Sequence, residues 1–482
     1  MIHSRVILHI IGFLLILDGF FMLGGIPFSI YYGDDDIFIL LGCGIGTALI
    51  GFILQWLTRK QRSEISKRDG YIVVSLGWIA MSIFGALPFI LHGSIPSYTD
   101  AFFETMSGFT TTGASILHNI ESLPHGLLFW RSITQWLGGM GIIVLSLAIL
   151  PVLGIGGMQL YVAEVPGPTK DKIHPRVRET AKRLWGIYFI FTAAEIVLLL
   201  FGGMNLFDAI CHAFTTMATG GFSTKQASIA YYNSPFIDYV IIVFMFLAGT
   251  NFVLHYHWLH KKINMVWKND EFRFYTQIVV FVSLVVAVGL VSLQYAGLEK
   301  SFRDALFHVV SIVTTTGYVT ADYELWGPFF KVLFFLLLFT GGCAGSTGGS
   351  VKIVRYLLLI KNSLRELRRL IHPRAVIPLR FNNNSIPNEI ISNILAFFLF
   401  YLSIFVIGTV IMSLLGLDFQ TAMGSVATSL GNVGPAIGSV GPSSNFSHIP
   451  DIGKWILSFL MLMGRLELFT VILIFSPAFY KS

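Results

Sequence analysis

The chain has 482 residues, 54% of them hydrophobic and only 12% charged. A soluble domain is about 25% charged, so this composition excludes one and points to a membrane protein. The net charge of +6 would suit nucleic acid, but the basic residues cluster between apolar runs, so no such partner is expected.

In chain order, ten apolar spans and four shorter segments are expected. The first two spans, 6–31 and 37–57, flank the acidic turn Asp34-Asp35-Asp36. The first stretch is too long for a cleavable signal and lacks a small-residue cleavage site. Asp18 lies inside it. An intramembrane carboxylate is a functional candidate by default, but this hairpin has no re-entrant loop, so packing is the expected role. A basic stretch, 59–68, precedes a span at 69–92, a short segment at 98–109 and a span at 126–152. A Pro- and charge-rich linker, 164–183, follows. Later spans are expected at 183–203, 235–259, 274–296, 327–360, 388–416 and 452–478. The basic stretches 59–68, 164–183, 259–275 and 352–380 fall on one face of this arrangement. The positive-inside rule then makes both termini cytoplasmic, with contact to anionic lipid as a secondary effect. Cys43, Cys211 and Cys343 are far apart and suggest neither disulfides nor a metal site.

One unit occurs four times. Asp100-Ala101 leads after thirteen residues to Gly113 in Thr110-Thr111-Thr112-Gly113. Asp304-Ala305 leads likewise to Gly317 in Thr314-Thr315-Thr316-Gly317. Asp208-Ala209 leads to Gly221 in Ala218-Thr219-Gly220-Gly221, and Thr421-Ala422 to Gly434 in Gly431-Asn432-Val433-Gly434. The glycines recur about every 100 residues, the scale of a membrane hairpin and not of a solenoid. Asp and Thr are good N-caps, so each unit reads as a helix of nine or ten residues that starts there. Such a helix cannot cross a bilayer, which needs about twenty residues. A re-entrant helix ending in a Thr/Gly strand aims its negative dipole end at a cation. Four such strands make a ring of carbonyls able to replace an ion's water.

The segment 327–360 is too long for one crossing, and Thr340–Ser350 within it is almost all glycine and small residues. Gly341, Gly342, Gly345, Ser346, Thr347, Gly348 and Gly349 read as a non-helical intramembrane loop, hence a gate candidate. Close helix packing is the competing reading. A phosphate-binding loop is excluded, since Gly349 is followed by Ser350-Val351-Lys352. Arg465 lies near the middle of an apolar final span. It either pairs with an acid such as Glu467 or sits in a cavity below the ring, where it opposes cations or holds the loop. His255, His257 and His260 lack the i, i+4 spacing of helical metal ligands and suit a membrane interface. His212, His308 and Glu104 occupy equivalent places on the short helices and read as packing behind the strands.

These motifs, with Gly341–Gly349, Trp136-Leu137-Gly138-Gly139-Met140-Gly141 and Met463-Gly464-Arg465-Leu466, resemble the Trk/Ktr/HKT superfamily of potassium transporters, most closely the bacterial Trk branch. The resemblance covers essentially the whole chain, although loops two and four depart from the Thr-rich form. It implies an all-α integral membrane protein with four tandem helix–pore-loop–helix repeats, pseudo-four-fold around one pore. It also implies an accessory hairpin (1–68) before repeats at 69–170, 171–265, 266–380 and 381–482. K+ is then the transported ion, bound only at the four Thr/Gly strands and gated at 341–350 and Arg465. No organic cofactor and no enzyme activity are expected. The implied assembly is a homodimer in the bacterial inner membrane with a cytosolic, TrkA-like nucleotide-binding subunit, for which 164–183 and 352–380 are docking candidates. Two rivals remain. One is an H+- or Na+-coupled symporter, with Asp18, Glu195 and Glu467 as candidate groups. The other is a metalloenzyme using the 255–260 histidines.

Overall fold

The computed structural model describes residues 2–59, 66–148 and 177–480. Among the described residues, the regular secondary structure is helical apart from two pairs of two-residue strands. The linker expected at 164–183 lies largely outside the described residues, as do parts of 59–68 and 126–152.

The N-terminal hairpin is α1 (Ser4–Leu23), α2 (Ile26–Tyr32) and α3 (Ile37–Thr58). Glycines let α1 and α3 touch backbone to backbone: a Cβ on Gly12 would stand 2.7 Å from the Gly51 carbonyl, and one on Gly51 2.5 Å from that of Gly12. In lipid this close approach is what drives helix association. Asp18 is buried among these helices.

The chain continues through α4 (Lys67–Gly85), α5 (Leu87–His92), α6 (Tyr98–Phe109) and α7 (His125–Ala148). Next come α8 (Val177–Phe201), α9 (Leu206–Met217), α10 (Pro235–Ala248), α11 (Phe252–Leu259) and α12 (Ile263–Trp267). Then α13 (Asp270–Ser292), α14 (Leu298–Val313) and α15 (Pro328–Leu337) precede β1 (Thr340–Gly341), β2 (Val351–Lys352) and α16 (Ile353–Ile371). A small hairpin of β3 (Arg380–Phe381) and β4 (Asn384–Ser385) leads to α17 (Asn388–Leu414), α18 (Phe419–Gly431), α19 (Asp451–Arg465) and α20 (Phe469–Phe475).

The four short segments are the helices α6, α9, α14 and α18, and they are longer than expected, at 12, 12, 16 and 13 residues. Their caps also differ from expectation. Ser97, Asn205 and Asp418 accept the amides of Asp100, Asp208 and Thr421, so those three residues stand at N3, one turn inside. In α14 the cap is Gly297, and Asp304 lies mid-helix. Three of the four Asp/Thr positions therefore mark the first turn and not the cap. Ser and Asn upstream supply the acceptor that N2 or N3 amides require.

Among the described residues, six helices are long and apolar enough to cross a membrane, eight if two bent pairs are counted. Ten continuous spans were expected. The difference has four causes. The stretch expected at 235–259 bends by 104° between α10 and α11. The final span bends by 116° between α19 and α20, where Glu467 and Leu468 both have positive φ. The stretch 327–360 is interrupted completely between α15 and α16. In addition, α7 buries Arg131, Ser132, Thr134 and Gln135, polar groups that lower its hydropathy.

The short helices form the centre of the core. α6 buries every residue from Ala101 to Phe109. α7 packs on α6 and α9, α10 on α14, and α19 on both α18 and α6.

Candidate functional site

Each short helix ends in the same turn. The amides of Thr112, Gly220, Thr316 and Val433 bond back to Ser107, Thr215, Ser311 and Thr428 carbonyls at 2.8, 2.8, 2.8 and 3.1 Å. This six-to-one closure is the Schellman motif, which needs a left-handed residue just past the helix. Glycine normally occupies that place. Here it is Thr111, Thr219, Thr315 and Asn432, with φ of 52°, 53°, 61° and 52°. A β-branched residue in this region costs about 1–3 kcal/mol, so the same strain is built in at three homologous places. Two residues later come Gly113, Gly221, Gly317 and Gly434, again with positive φ, from 77° to 94°.

The four glycines meet in a closed ring. A Cβ on Gly113 would overlap the Gly220 carbonyl, one on Gly221 the Thr316 carbonyl, and one on Gly317 the Val433 carbonyl. A Cβ on Gly434 would stand 3.0 Å from the Thr112 carbonyl, which returns to the first loop. Each glycine thus faces the residue before the next loop's glycine, in chain order.

Side chains brace the loops from behind. Thr110 and Thr112 hydroxyls bond at 2.8 Å, as do those of Thr314 and Thr316. Asn432 donates to the Thr112 hydroxyl at 3.0 Å and to the Met461 carbonyl. Glu104 accepts from Ser115 Oγ and the Ile116 amide; His212 bonds Ser223, and His308 the Ala321 amide. These three equivalent residues tie three of the four short helices to the strand that leaves the ring, the packing role expected of them.

The segment between β1 and β2 lies against the ring from one side. A parallel pairing of Thr340 with Val351 and Gly341 with Lys352 pinches its base. Its Gly349 amide donates to Thr315 Oγ1 at 2.8 Å, and Thr347 Oγ1 to the carbonyl of Met217, the last residue of α9, at 3.0 Å. Cys343 donates to the Gly249 carbonyl at 2.8 Å, inside the α10–α11 bend. Gly349 packs so closely that a Cβ would meet Gly431 and Asn432 at 2.7 Å. Gly342 is as close to Gly249, and Gly345 has φ +74° beside Asn251. Gly348 lies beside Thr314 and Thr315, while Ser346 bonds the Cys343 carbonyl. Six of the seven small residues expected in the loop lie in this one segment, and Gly341 ends β1 at its base.

Arg465 is the last residue of α19, at the bend and not in mid-span. It is 2% exposed. Nη1 donates to the Thr347 carbonyl at 2.6 Å and Nη2 to the Gly138 carbonyl at 3.0 Å. It is not the partner of Glu467, whose carboxylate pairs with Arg355 at 2.5 Å. Of the roles expected for Arg465, holding the loop is the one its contacts match.

Several residues at the site went unrecognised in the sequence. Lys352 is buried and donates to Ser346 Oγ and the Gly348 carbonyl. Glu271 accepts the Ala344 amide at 2.6 Å. Arg131 and Gln135, on one face of α7, both reach loop two. The available signal was polar residues within an apolar span. The histidine cluster is dispersed: His255 bonds the Leu247 carbonyl and His260 that of Tyr256. Among the described residues no three His, Cys, Asp or Glu converge on a metal site.

Spanning helices around a closed backbone ring, with a small-residue segment lying against it, define a polytopic membrane transport protein. The family model for TrkH, a cation transport protein, matches residues 41–481. The chain is 43% identical over 487 residues to the Trk system potassium uptake protein TrkH of Escherichia coli (strain K12), covering 100% of both. It is 40% identical to the protein of that name in Halomonas elongata, with 99% of each covered. The crystal structure of the potassium transporter TrkH from Vibrio parahaemolyticus superposes with a TM-score of 0.91 at 38% identity, covering 100% of both chains. The chain belongs to the TrkH family of cation transport proteins. It is therefore a transporter and not an enzyme.

Proposed function

We propose that this chain takes up potassium across the inner membrane through the four-glycine ring. The carrying observation is the cyclic approach of Gly113, Gly221, Gly317 and Gly434 to their neighbours' carbonyls. An extended strand turns successive carbonyls to opposite sides. A strand whose φ alternates in sign can turn them to one side, where they replace the hydration shell of a cation. Thr110–Gly113, Ala218–Gly221, Thr314–Gly317 and Gly431–Gly434 are the potassium-binding strands in this reading. The relatives named for potassium uptake support the choice of ion.

The architecture we infer is a hairpin at 1–68 and four repeats at 69–170, 171–265, 266–380 and 381–482, arranged pseudo-four-fold about one pore. Residues 341–350, latched by Arg465, are its gate. Both termini face the cytoplasm. The functional unit is a homodimer with a cytosolic nucleotide-binding subunit, received by the basic segments 164–183 and 352–380. Flux of K+ into proteoliposomes under an imposed potential tests the reading, with Na+ as the competing ion. Equal K+ and Na+ flux would remove the filter.

A coupled symporter is the second reading. It is favoured by Asp18, a buried carboxylate whose oxygens have no hydrogen-bond partner among the described residues, and by Glu195, fully buried beside Thr216. Potassium accumulation driven by a pH or Na+ gradient at zero potential would select it.

A further inference from the structure

Loop two is chemically the poorest of the four. Loops one and three each hold their first and third threonines together by a hydroxyl pair at 2.8 Å. Loop two has Ala218 and Gly220 at those places, so the pair is missing. Yet its turn closes with the same geometry: φ is +53° at Thr219 and +77° at Gly221, against +61° and +83° in loop three. Something else must hold it.

The side chain in that space is Gln135, from α7. It is fully buried. Its Nε2 donates to the Gly220 carbonyl at 2.7 Å, and its Oε1 accepts the Phe222 amide at 3.0 Å. The amide therefore clamps the backbone on both sides of Gly221. A Cβ on Gly220 would overlap the Gln135 carboxamide, so a third threonine and this glutamine cannot share the site. One turn earlier on the same helix face, Arg131 donates to the Ser223 carbonyl at 2.9 Å and lies 3.6 Å from the Phe222 ring centroid. Glu104 fixes that guanidinium at 2.7 Å.

We propose that Gln135 is a specificity-determining positioning residue that takes the place of the hydroxyl pair loop two lacks. The Gly220 carbonyl it holds is the one that abuts Gly113 of the neighbouring loop. Releasing it widens one quarter of the ring, and a looser ring discriminates less between K+ and Na+. This inference rests on the ring being the filter.

The test uses full-length protein in proteoliposomes. Gln135→Met keeps the volume and removes both bonds. The K+/Na+ flux ratio is expected to fall about fivefold to tenfold, what one or two hydrogen bonds are worth, with the melting temperature nearly unchanged. The triple variant Gln135→Ala/Ala218→Thr/Gly220→Thr rebuilds the hydroxyl pair and is expected to recover most of the ratio. If Gln135→Met does not fold, the triple variant carries the test, since it folds and selects only if the pair and the amide are interchangeable. A wild-type ratio in folded Gln135→Met overturns the proposal, and so does failure of the triple variant to recover it. Gly317→Ser, on the opposite side of loop two, is run in parallel. If it alters the ratio and Gln135→Met does not, the filter reading survives and this inference falls. If neither alters it, the filter reading itself fails.

Discussion

At the scale of single residues, the ring glycines are unequal. A side chain at Gly317 must displace the Val433 carbonyl and also hold φ at +83°. The backbone alone costs about 1–2 kcal/mol for an L-residue. At Gly434, where φ is +94° and the backbone strain is of the same kind, the nearest carbonyl is 3.0 Å away, so the contact itself needs only a small shift. Gly317→Ser should therefore depress potassium flux and selectivity more than Gly434→Ser. The reverse order, measured as K+ and Na+ flux per folded protein, would refute the ring geometry. Arg465 makes a different case. Its two bonds reach backbone carbonyls, and charge-assisted hydrogen bonds are worth about 1.5–3 kcal/mol each. No carboxylate pairs with it among the described residues, so Arg465→Ala strands no buried acid. The substitution should raise unregulated flux while melting temperature falls only modestly. Arg465→Lys should keep one of the two bonds and an intermediate flux. Wild-type flux with a large stability loss would make Arg465 purely structural.

At the scale of elements, the segment between β1 and β2 is held by contacts to several separate parts of the chain, Glu271 of α13 among them. Others are Thr315, Met217, the α10–α11 bend and, through Arg465, Gly138. Non-helical backbone at membrane depth must find such partners or line water. Because these bonds join separate elements and lie within no helix, they can break without unfolding any helix. Removing 343–348 should raise basal conductance and abolish its regulation. A folded, inserted deletion variant with ordinary regulated flux would reduce the segment to packing. Thr347→Val, which loses the bonds to Met217 and Ala248, should act in the same direction and more weakly.

At the scale of the whole molecule, the driving force separates the two transport readings. A potential supplies about 2.3 kcal/mol per charge per 100 mV, enough to accumulate K+ without a coupled ion. Neither Asp18 nor Glu195 belongs to the ring or to the segment against it. Glu195→Gln and Asp18→Asn should therefore leave voltage-driven uptake and its pH response unchanged. Loss of a pH-gradient-driven component in Glu195→Gln would instead establish coupling through that carboxylate.

Membrane class, the four glycines and the broken segment after α15 were all legible in the sequence, because each depends on local chemistry. Apolar length decides what crosses lipid, and Gly/Thr repetition decides where a backbone can turn left-handed. The caps were misread by one turn, because Asp is as favourable at N3 as at the cap and only the Ser97 or Asn205 hydrogen bond tells the two apart. The bends at 249–251 and 466–468 were not legible, since flanking apolar residues look alike whether a helix continues or folds back. Nor were the partners of the key side chains: Gln135 and Gly220 are 85 positions apart, Arg465 and Thr347 118. Sequence by itself determined that this chain crosses a membrane and carries one turn four times. Only the tertiary structure decided that the four turns close on one another, and which buried amide and guanidinium hold them, because a polar group in a dry interior is satisfied by whatever carbonyl the fold brings to it.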